Sequence, residues 1–110
     1  MSLIIGLTGM NASGKGEFCQ YLGSKGFISF SLSDVIREEL MEKKQEVNRD
    51  NLVDTGNRLR SEFGPGILAK RTLQKMSKGK NYVIDSVRNP AEIAELRKSG
   101  DYIHVFIDSP

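Results

Sequence analysis

A glycine-rich segment near the N-terminus carries the strongest chemical signal in the sequence. Residues 9–15 read G-M-N-A-S-G-K, which matches the pattern G-x-x-x-x-G-K. Glycines let the backbone curl until successive N–H groups face one anion, and a helix that begins there adds the positive end of its dipole. Lys15 supplies a point charge suited to the β- and γ-phosphates of a nucleotide. The pattern predicts a Walker A phosphate-binding loop, with a glycine-rich turn and a surface lysine as the alternative. Its residues are Gly9, Asn11, Ala12, Ser13, Gly14, Lys15 and Gly16.

The residues after the lysine depart from the usual form of this motif. A Ser or Thr commonly follows the lysine, and its hydroxyl touches Mg²⁺. Here Gly16 stands in that place and Glu17 comes next. The carboxylate of Glu17 either binds Mg²⁺ through water or repels the phosphates, and the sequence leaves both open.

The elements that position these residues alternate along the chain. Short apolar runs predict strands at residues 3–7, 27–30, 82–85 and 102–107. Helical spacing predicts helices at residues 15–25, 34–45, 49–63, 67–77 and 91–99. Ser33 and Asn48 are the predicted N-caps of the second and third helices, and Gly26 is the predicted stop of the first. Strands separated by helices imply right-handed crossovers and a parallel sheet, so the predicted fold class is α/β.

Polar residues follow each predicted strand. The segments are the glycine-rich loop, S-L-S-D at 31–34, D-S-V-R at 85–88 and D-S-P at 108–110. Ligands of open α/β sheets bind beyond the carboxyl ends of the strands. The sequence therefore gathers its chemically distinctive residues where such a fold would place a site.

Length and composition limit the class of protein. The chain has 110 residues, fewer than the roughly 150 of an ordinary domain, so we expect one domain over residues 1–110. Hydrophobic residues make up 38% and charged residues 27%, as in soluble globular proteins. A net charge of +2 does not argue for nucleic acid or an anionic membrane, and no apolar run approaches a membrane span. A single cysteine, Cys19, fits a reducing compartment, so we expect a cytoplasmic protein.

The motifs together resemble the P-loop nucleoside monophosphate kinases. G-K-G at 14–16 is similar to the loop of adenylate kinases, and the opening I-I-G-L-T-G at 4–9 looks like that of dephospho-coenzyme A kinases. The resemblance spans nearly the whole chain, although only the loop is highly specific. It implies a three-layer P-loop NTPase fold, with ATP and Mg²⁺ as cofactors. It also implies transfer of the γ-phosphate to a nucleoside monophosphate or similar small acceptor.

The resemblance extends to residues that follow the second and third strands. S-L-S-D-V-I-R at 31–37 is similar to S-T-G-D-L-L-R of adenylate kinases, which implies that Arg37 contacts the acceptor phosphate and Asp34 shapes its site. D-S-V-R at 85–88 looks like a shortened D-G-F-P-R. That likeness implies that Asp85, with Glu17, organises Mg²⁺ and that Arg88 binds the acceptor phosphate.

Two further arginines are candidates in a stretch that looks like archaeal kinase-like proteins. Residues 55–69 read T-G-N-R-L-R-S-E-F-G-P-G-I-L-A, and Arg58 and Arg60 are candidate acceptor ligands there. The alternative for both is a surface ion pair with Glu62 or Asp54. His104 lies among apolar residues and is interpreted as a packed or edge histidine, because the chain has no second histidine to form a metal pair.

Kinases of this group continue beyond the fourth strand with a mobile lid and a fifth strand. We therefore expect the lid and last strand to be absent from residues 1–110. The chain would then be the N-terminal part of a longer protein or pair with another copy. The alternative function is a nucleotide-sensing N-terminal domain without catalysis, similar to those joined to deoxycytidylate deaminases.

Overall fold

The computed structural model describes residues 3–9 and 12–107, with the backbone alone for residues 12–15 and 107. As the sequence predicts, helices separate the strands, with one helix after β1, three after β2 and one after β3. The strands are β1 (Leu3–Gly9), β2 (Ile28–Ser31), β3 (Tyr82–Asp85) and β4 (Asp101–Ile107). The helices are α1 (Ala12–Ser24), α2 (Ser33–Glu42), α3 (Arg49–Phe63), α4 (Ile67–Leu73) and α5 (Pro90–Arg97).

The four strands form one parallel sheet in the order β2-β3-β1-β4. Ile4 of β1 pairs with Tyr82 of β3 on one side and with Tyr102 of β4 on the other. The chain leaves β1 toward β2 on one side and later reaches β4 on the other, so the topological switch point lies between β1 and β3. This parallel sheet confirms the predicted α/β class, and the switch point is where such sheets bind ligands.

Side chains of β1 alternate between two cores, one on each face of the sheet. Ile5 and Leu7 pack with Leu22 of α1. Ile4 belongs to the larger core on the opposite face, where helices α2 to α5 contribute most of the apolar side chains. Helices on both faces of the sheet make three layers. No helix in the described ranges is long and apolar enough to cross a membrane.

Among the helices, only α3 has the bounds predicted from sequence: α4 ends at Leu73 rather than 77, and α5 spans Pro90–Arg97 rather than 91–99. The differences at α1 and α2 have local explanations. Helix α1 begins at Ala12 rather than Lys15, so the end of the glycine-rich motif forms its first turn. Helix α2 ends at Glu42 rather than 45, because Lys44 adopts a left-handed φ of 56°. The N–H of Gln45 then bonds to the Leu40 carbonyl at 2.9 Å, which closes a Schellman motif.

The caps agree with the sequence at Asn48 but not at Ser33. The Asn48 side chain accepts the Asn51 N–H at 2.8 Å and begins α3. Helix α2 already includes Ser33, and its N-cap residue, Leu32, provides no side-chain bond. The prediction that Ser33 caps α2 is wrong, because its hydroxyl bonds to that of Ser31 at 2.8 Å instead.

Gly6 is required because the ring of Tyr102 crosses β1 at that residue. A Cβ atom at Gly6 would collide with the Tyr102 hydroxyl and lie 2.7 Å from Cζ. We expect Gly6→Ala to lower the free energy of unfolding by about 1–3 kcal/mol, measured by urea denaturation. Gly23→Ala is the matched control, since a Cβ there meets nothing within 4 Å. A Gly6→Ala protein as stable as the Gly23→Ala protein would contradict this account.

Candidate functional site

A cavity of about 520 Å³ opens at the carboxyl ends of β2 and β3. This volume is typical of small-molecule pockets. Helices α2, α3 and α4 form its other walls. Its apolar lining consists of Leu32, Ile36, Leu52, Val53 and Leu68, and its uncharged polar lining of Ser33, Asn57 and Ser86.

Four arginines line this cavity, and no carboxylate among the described residues does. They are Arg37, Arg49, Arg60 and Arg88. The structure therefore brings together three arginines predicted from sequence, Arg37, Arg60 and Arg88, although they lie on three different segments of the chain. A cavity lined by guanidinium groups and apolar side chains suits an organic anion. Arg binds phosphate and carboxylate oxygens with paired N–H groups, and the apolar side chains can contact the organic part.

Arg37 is held in place by its own helix. Its Nη1 atom lies 2.9 Å from Asp34 Oδ1 and 3.3 Å from Ser33 Oγ. Asp34 does not line the cavity, so the structure places it behind Arg37 rather than against a ligand. The Ser31 hydroxyl joins this group to the next strand by donating to Ser86 Oγ at 3.1 Å.

A left-handed residue turns the chain into the cavity at the end of β3. Ser86 has a φ of 66°, which costs a non-glycine residue roughly 1–2 kcal/mol. The Ser86 N–H donates to Asp85 Oδ1 at 2.7 Å, which supports this turn. The turn presents Ser86 and Arg88 to the cavity. Strained backbone of this kind is concentrated at functional sites in proteins.

Glu92 is completely buried beneath two of the cavity arginines. Its Oε1 accepts the N–H of Arg88 at 2.7 Å and that of Asn89 at 3.2 Å. Its Oε2 lies 3.9 Å from Arg60 Nη2. Oε2 of Glu92 and Nε of Arg60 have no hydrogen-bond partner within the described part of the chain. Glu92 therefore fixes the backbone of Arg88 and compensates the charge of Arg60.

The cavity adjoins the carboxyl end of β1, where the glycine-rich loop starts. The Thr8 hydroxyl donates to the Val87 carbonyl at 2.6 Å, and the Val87 N–H donates to the Leu7 carbonyl at 3.2 Å. Val87 precedes Arg88, and Thr8 precedes Gly9. The arginine cavity and the loop are therefore neighbours across β1 and β3.

A hydrogen-bonded relay lies behind this junction. Tyr102 Oη is 2.8 Å from His104 Nδ1, and His104 Nε2 is 3.0 Å from Thr8 Oγ1. The Thr8 hydroxyl donates to the Val87 carbonyl, so towards His104 it can only accept, and the donor is the Nε2–H of the ring. Neutral His104 then has an unprotonated Nδ1, which accepts the hydrogen bond from the Tyr102 hydroxyl. Burial raises the pKa of Tyr102 to about 12. His104 lies on the edge strand β4 with its ring against those of Tyr102 and Phe106, which confirms its interpretation as a packed or edge histidine.

The relay predicts how stability depends on pH. Burial and the nearby Arg97 charge lower the pKa of His104 below its ordinary value. The unfolded chain then binds a proton at a pH where the folded chain does not, so His104 destabilises the fold as pH falls below about 6.5. We expect urea denaturation to show this loss for the wild type and not for His104→Gln. NMR titration of the lone histidine checks the pKa directly, and a midpoint above 6.5 would contradict the relay.

The residues of the glycine-rich loop are described only in part. Asn11 lies outside the described residues, as do the side chains of Ala12, Ser13 and Lys15, and of Gly14 only the backbone is described. The backbone of residues 12–15 is the first turn of α1, and the first four N–H groups of a helix have no carbonyl partner within it. Gly16 and Glu17 follow with exposed surfaces.

The predicted metal ligands Asp85 and Glu17 lie on different elements. Asp85 ends β3 at the switch point, while Glu17 is exposed on α1. No group of three His, Cys, Asp or Glu side chains forms a metal site in the described ranges. A single carboxylate at this edge fits Mg²⁺, which in phosphate-binding sites takes one or two carboxylates, water and phosphate oxygens.

Arg58 belongs to a different cluster, centred on the nearly buried carboxylate of Glu39. Glu39 lies within 3.3 Å of Lys43, Arg58 and Arg71. Bonds from these cations, that of Lys43 foremost, lower the pKa of Glu39. Arg58 also lies 3.9 Å from Glu62, which is the ion pair that the alternative interpretation proposed. Arg58 is absent from the cavity wall.

Sequence reasoning missed three residues of this site. Glu92 could have been found, since Asn89 and Glu92 have the spacing of a capping box, which the structure contains. Arg49 and Asn57 line the cavity from α3. Their role depends on how α3 lies against α2, which no local pattern encodes.

Comparison with known proteins identifies the kind of fold. A family model described as an AAA domain, AAA_18, matches residues 5–109. The chain superposes on a mutant of the Mycobacterium tuberculosis APS kinase CysC with a TM-score of 0.51 and 19% identity. That match covers 99% of this chain and 77% of the other. At this identity the likeness shows the fold alone, a P-loop kinase-like fold.

Sequence relatives named UPF0200 proteins are longer than this chain. A UPF0200 protein of Sulfurisphaera tokodaii is 39% identical over 112 residues, covering 100% of this chain and 62% of that protein. A UPF0200 protein of Thermococcus kodakarensis is 35% identical over 99 residues, covering 86% and 54%. The chain thus spans between half and two thirds of the length of these relatives.

Proposed function

Since the chain belongs to the AAA_18 family of AAA domains and has a P-loop kinase-like fold, we propose that it binds ATP with Mg²⁺ and transfers the γ-phosphate to a small phosphorylated acceptor. Nucleoside monophosphates are the acceptor class that we favour. The observation that carries this proposal is the arginine cavity beside the glycine-rich loop. One site holds the donor and its neighbour holds the acceptor.

The donor site is the loop and first turn after β1. Lys15 would hold the β- and γ-phosphates, and the free N–H groups of residues 12–15 would point at the same oxygens. The remaining loop residues, Gly9, Asn11, Gly14 and Gly16, would let the backbone approach the phosphates closely. The helix geometry at Ala12 supports this assignment, since the positive end of the α1 dipole then lies within the motif.

The metal would lie between the loop and the cavity. Asp85 ends the strand that separates β1 from β2, so its carboxylate is suited to hold Mg²⁺ through water, with Glu17 as a second candidate. A bound Mg²⁺ would offset the negative charge of the donor phosphates. Our proposal requires no protein nucleophile, because phosphoryl transfer depends on positioning and charge stabilisation.

The acceptor would occupy the arginine cavity. Arg37, Arg60 and Arg88 would bind its phosphate, and the apolar floor would take its organic part. Asp34 would act by orienting Arg37, to which it is bonded. Arg88 is the candidate catalytic residue, because it follows the Val87 contact with β1 and so stands nearest the donor loop.

The domain organisation remains a proposal as well. We propose that residues 1–110 form one P-loop kinase-like domain and that a lid and a fifth strand, or a second copy, complete it. The greater length of the relatives supports this. The proposed partners are the nucleotide and its acceptor, with neither nucleic acid nor membrane, in a cytoplasmic setting.

The test is an assay of acceptor-dependent ADP release. ATP and Mg²⁺ are supplied with nucleoside monophosphates or dephospho-coenzyme A in turn, and ATP binding is titrated in parallel. ADP release with one acceptor and none without it is the expected result. ATP binding without transfer to any acceptor would instead favour the nucleotide-sensing alternative. Absence of binding by any nucleoside di- or triphosphate would overturn both functions.

A further inference from the structure

Arg49 is a cation in an unfavourable place. It is the first residue of α3, where the positive end of the helix dipole disfavours cations. It makes no ion pair or hydrogen bond through its side chain within the described part of the chain. By contrast, Arg37 and Arg60 each face a carboxylate, Asp34 and Glu92. A residue that breaks a local rule with no compensating contact is a candidate for ligand binding.

Arg88 is the other cavity arginine with no side-chain partner among the residues described. The cavity thus holds two compensated and two uncompensated guanidinium groups. Both side chains are exposed, so each is available to an anionic group of a bound ligand.

These uncompensated charges lie at opposite ends of one wall. Arg49, Val53, Asn57 and Arg60 line the cavity from one side of α3. At 1.5 Å rise per residue, the Cα atoms of Arg49 and Arg60 are roughly 16 Å apart. Arg88 lies near Arg60 at the far end of this wall, because Glu92 contacts both residues. Between its two ends, the wall carries Leu52, Val53 and the neutral amide of Asn57, so it offers no charged group to an anion.

We infer that the acceptor is a phosphate monoester with a second anionic group remote from the first. The phosphate that accepts the γ-phosphoryl group would lie at Arg60 and Arg88. The second anionic group, a phosphate or a carboxylate, would lie at Arg49. This inference rests on the proposed function, in which the cavity is the acceptor site. It makes Arg49 a specificity-determining residue that distinguishes acceptors with two separate anionic groups from acceptors with one.

The test compares adenosine 5′-monophosphate with adenosine 3′,5′-bisphosphate as probes of the cavity. Affinities are measured by calorimetry for the wild type, Arg49→Gln and Arg49→Lys. We expect the wild type to prefer the bisphosphate, and Arg49→Gln to weaken bisphosphate binding about 10- to 100-fold while leaving monophosphate binding unchanged. Arg49→Lys should keep part of the preference, since the charge remains.

Arg58→Gln is the matched control, because Arg58 lies on the same helix and its guanidinium faces Glu39. It should leave both affinities unchanged. Equal loss of both probes in Arg49→Gln would mean that Arg49 shares one phosphate with the other arginines and would overturn the inference. No loss of either probe would overturn it also. ATP titration of the same variants tests the donor site separately, so failure of the proposed function itself would be recognised.

Discussion

The Lys15→Ala variant is expected to bind ATP about 100-fold more weakly than the wild type. An ammonium that donates to phosphate oxygens makes charge-assisted hydrogen bonds worth about 1.5–3 kcal/mol each, and 1.4 kcal/mol corresponds to a tenfold change in affinity. Any phosphoryl transfer should fall further, by about 10²- to 10³-fold, because charge builds up on the transferred group. Calorimetric titration with ATP and Mg²⁺ and an ADP-release assay measure the two effects.

Lys25→Ala provides the control for that experiment. Lys25 follows the same helix at its other end, where its ammonium lies 5.5 Å from the centre of the Tyr21 ring. Removing it changes the net charge equally but leaves the loop intact, so ATP affinity should stay within about twofold of wild type. If Lys15→Ala bound ATP as tightly as Lys25→Ala, residues 9–16 would not be the phosphate site.

The second large effect is expected from Glu92→Ala. This change removes a fully buried carboxylate, leaves the N–H groups of Arg88 and Asn89 without their acceptor, and strands the charge of Arg60. Breaking a buried ion pair by removing one partner costs about 3–5 kcal/mol. We expect a loss of about 3 kcal/mol or more in the free energy of unfolding by urea, accompanied by loss of acceptor binding.

Two companion variants separate the causes. Glu92→Gln keeps an oxygen acceptor for the two N–H groups and loses only the charge, so it should be more stable than Glu92→Ala yet still weaken acceptor binding. Glu62→Ala removes an exposed carboxylate 3.9 Å from Arg58, and exposed pairs contribute about 0–1 kcal/mol. If Glu92→Ala were no less stable than Glu62→Ala, Glu92 would not support the cavity.

Sequence reasoning succeeded where a local pattern determines a global feature. Apolar runs are followed by polar residues at Ser31 and Asp85. Because the carboxyl ends of parallel strands lie at the same edge of the sheet, this pattern predicted the position of the site. Gly26 ends α1 with a φ of 91°, as a helix-stopping glycine should. The three cavity arginines predicted from sequence lie on segments that β2, β3 and α3 bring to that edge.

The sequence was insufficient where packing rather than pattern decides. Ser33 has the residue type of an N-cap, but its hydroxyl bonds to that of Ser31, which in turn donates to Ser86 Oγ. Lys44 is a helix former forced into a left-handed turn, so α2 is shorter than its charged residues suggest. Arg49 looks like an ordinary charged residue after a cap, and only its place in the cavity wall distinguishes it.

The Glu39 carboxylate has a mechanical consequence. It lies on α2 and holds Arg58 of α3 and Arg71 of the segment Ile67–Leu73 at 3.3 Å each. One side chain therefore links all three helical walls of the cavity. Displacing one of these helices toward a ligand would break an ion pair to Glu39 unless the other helices moved with it.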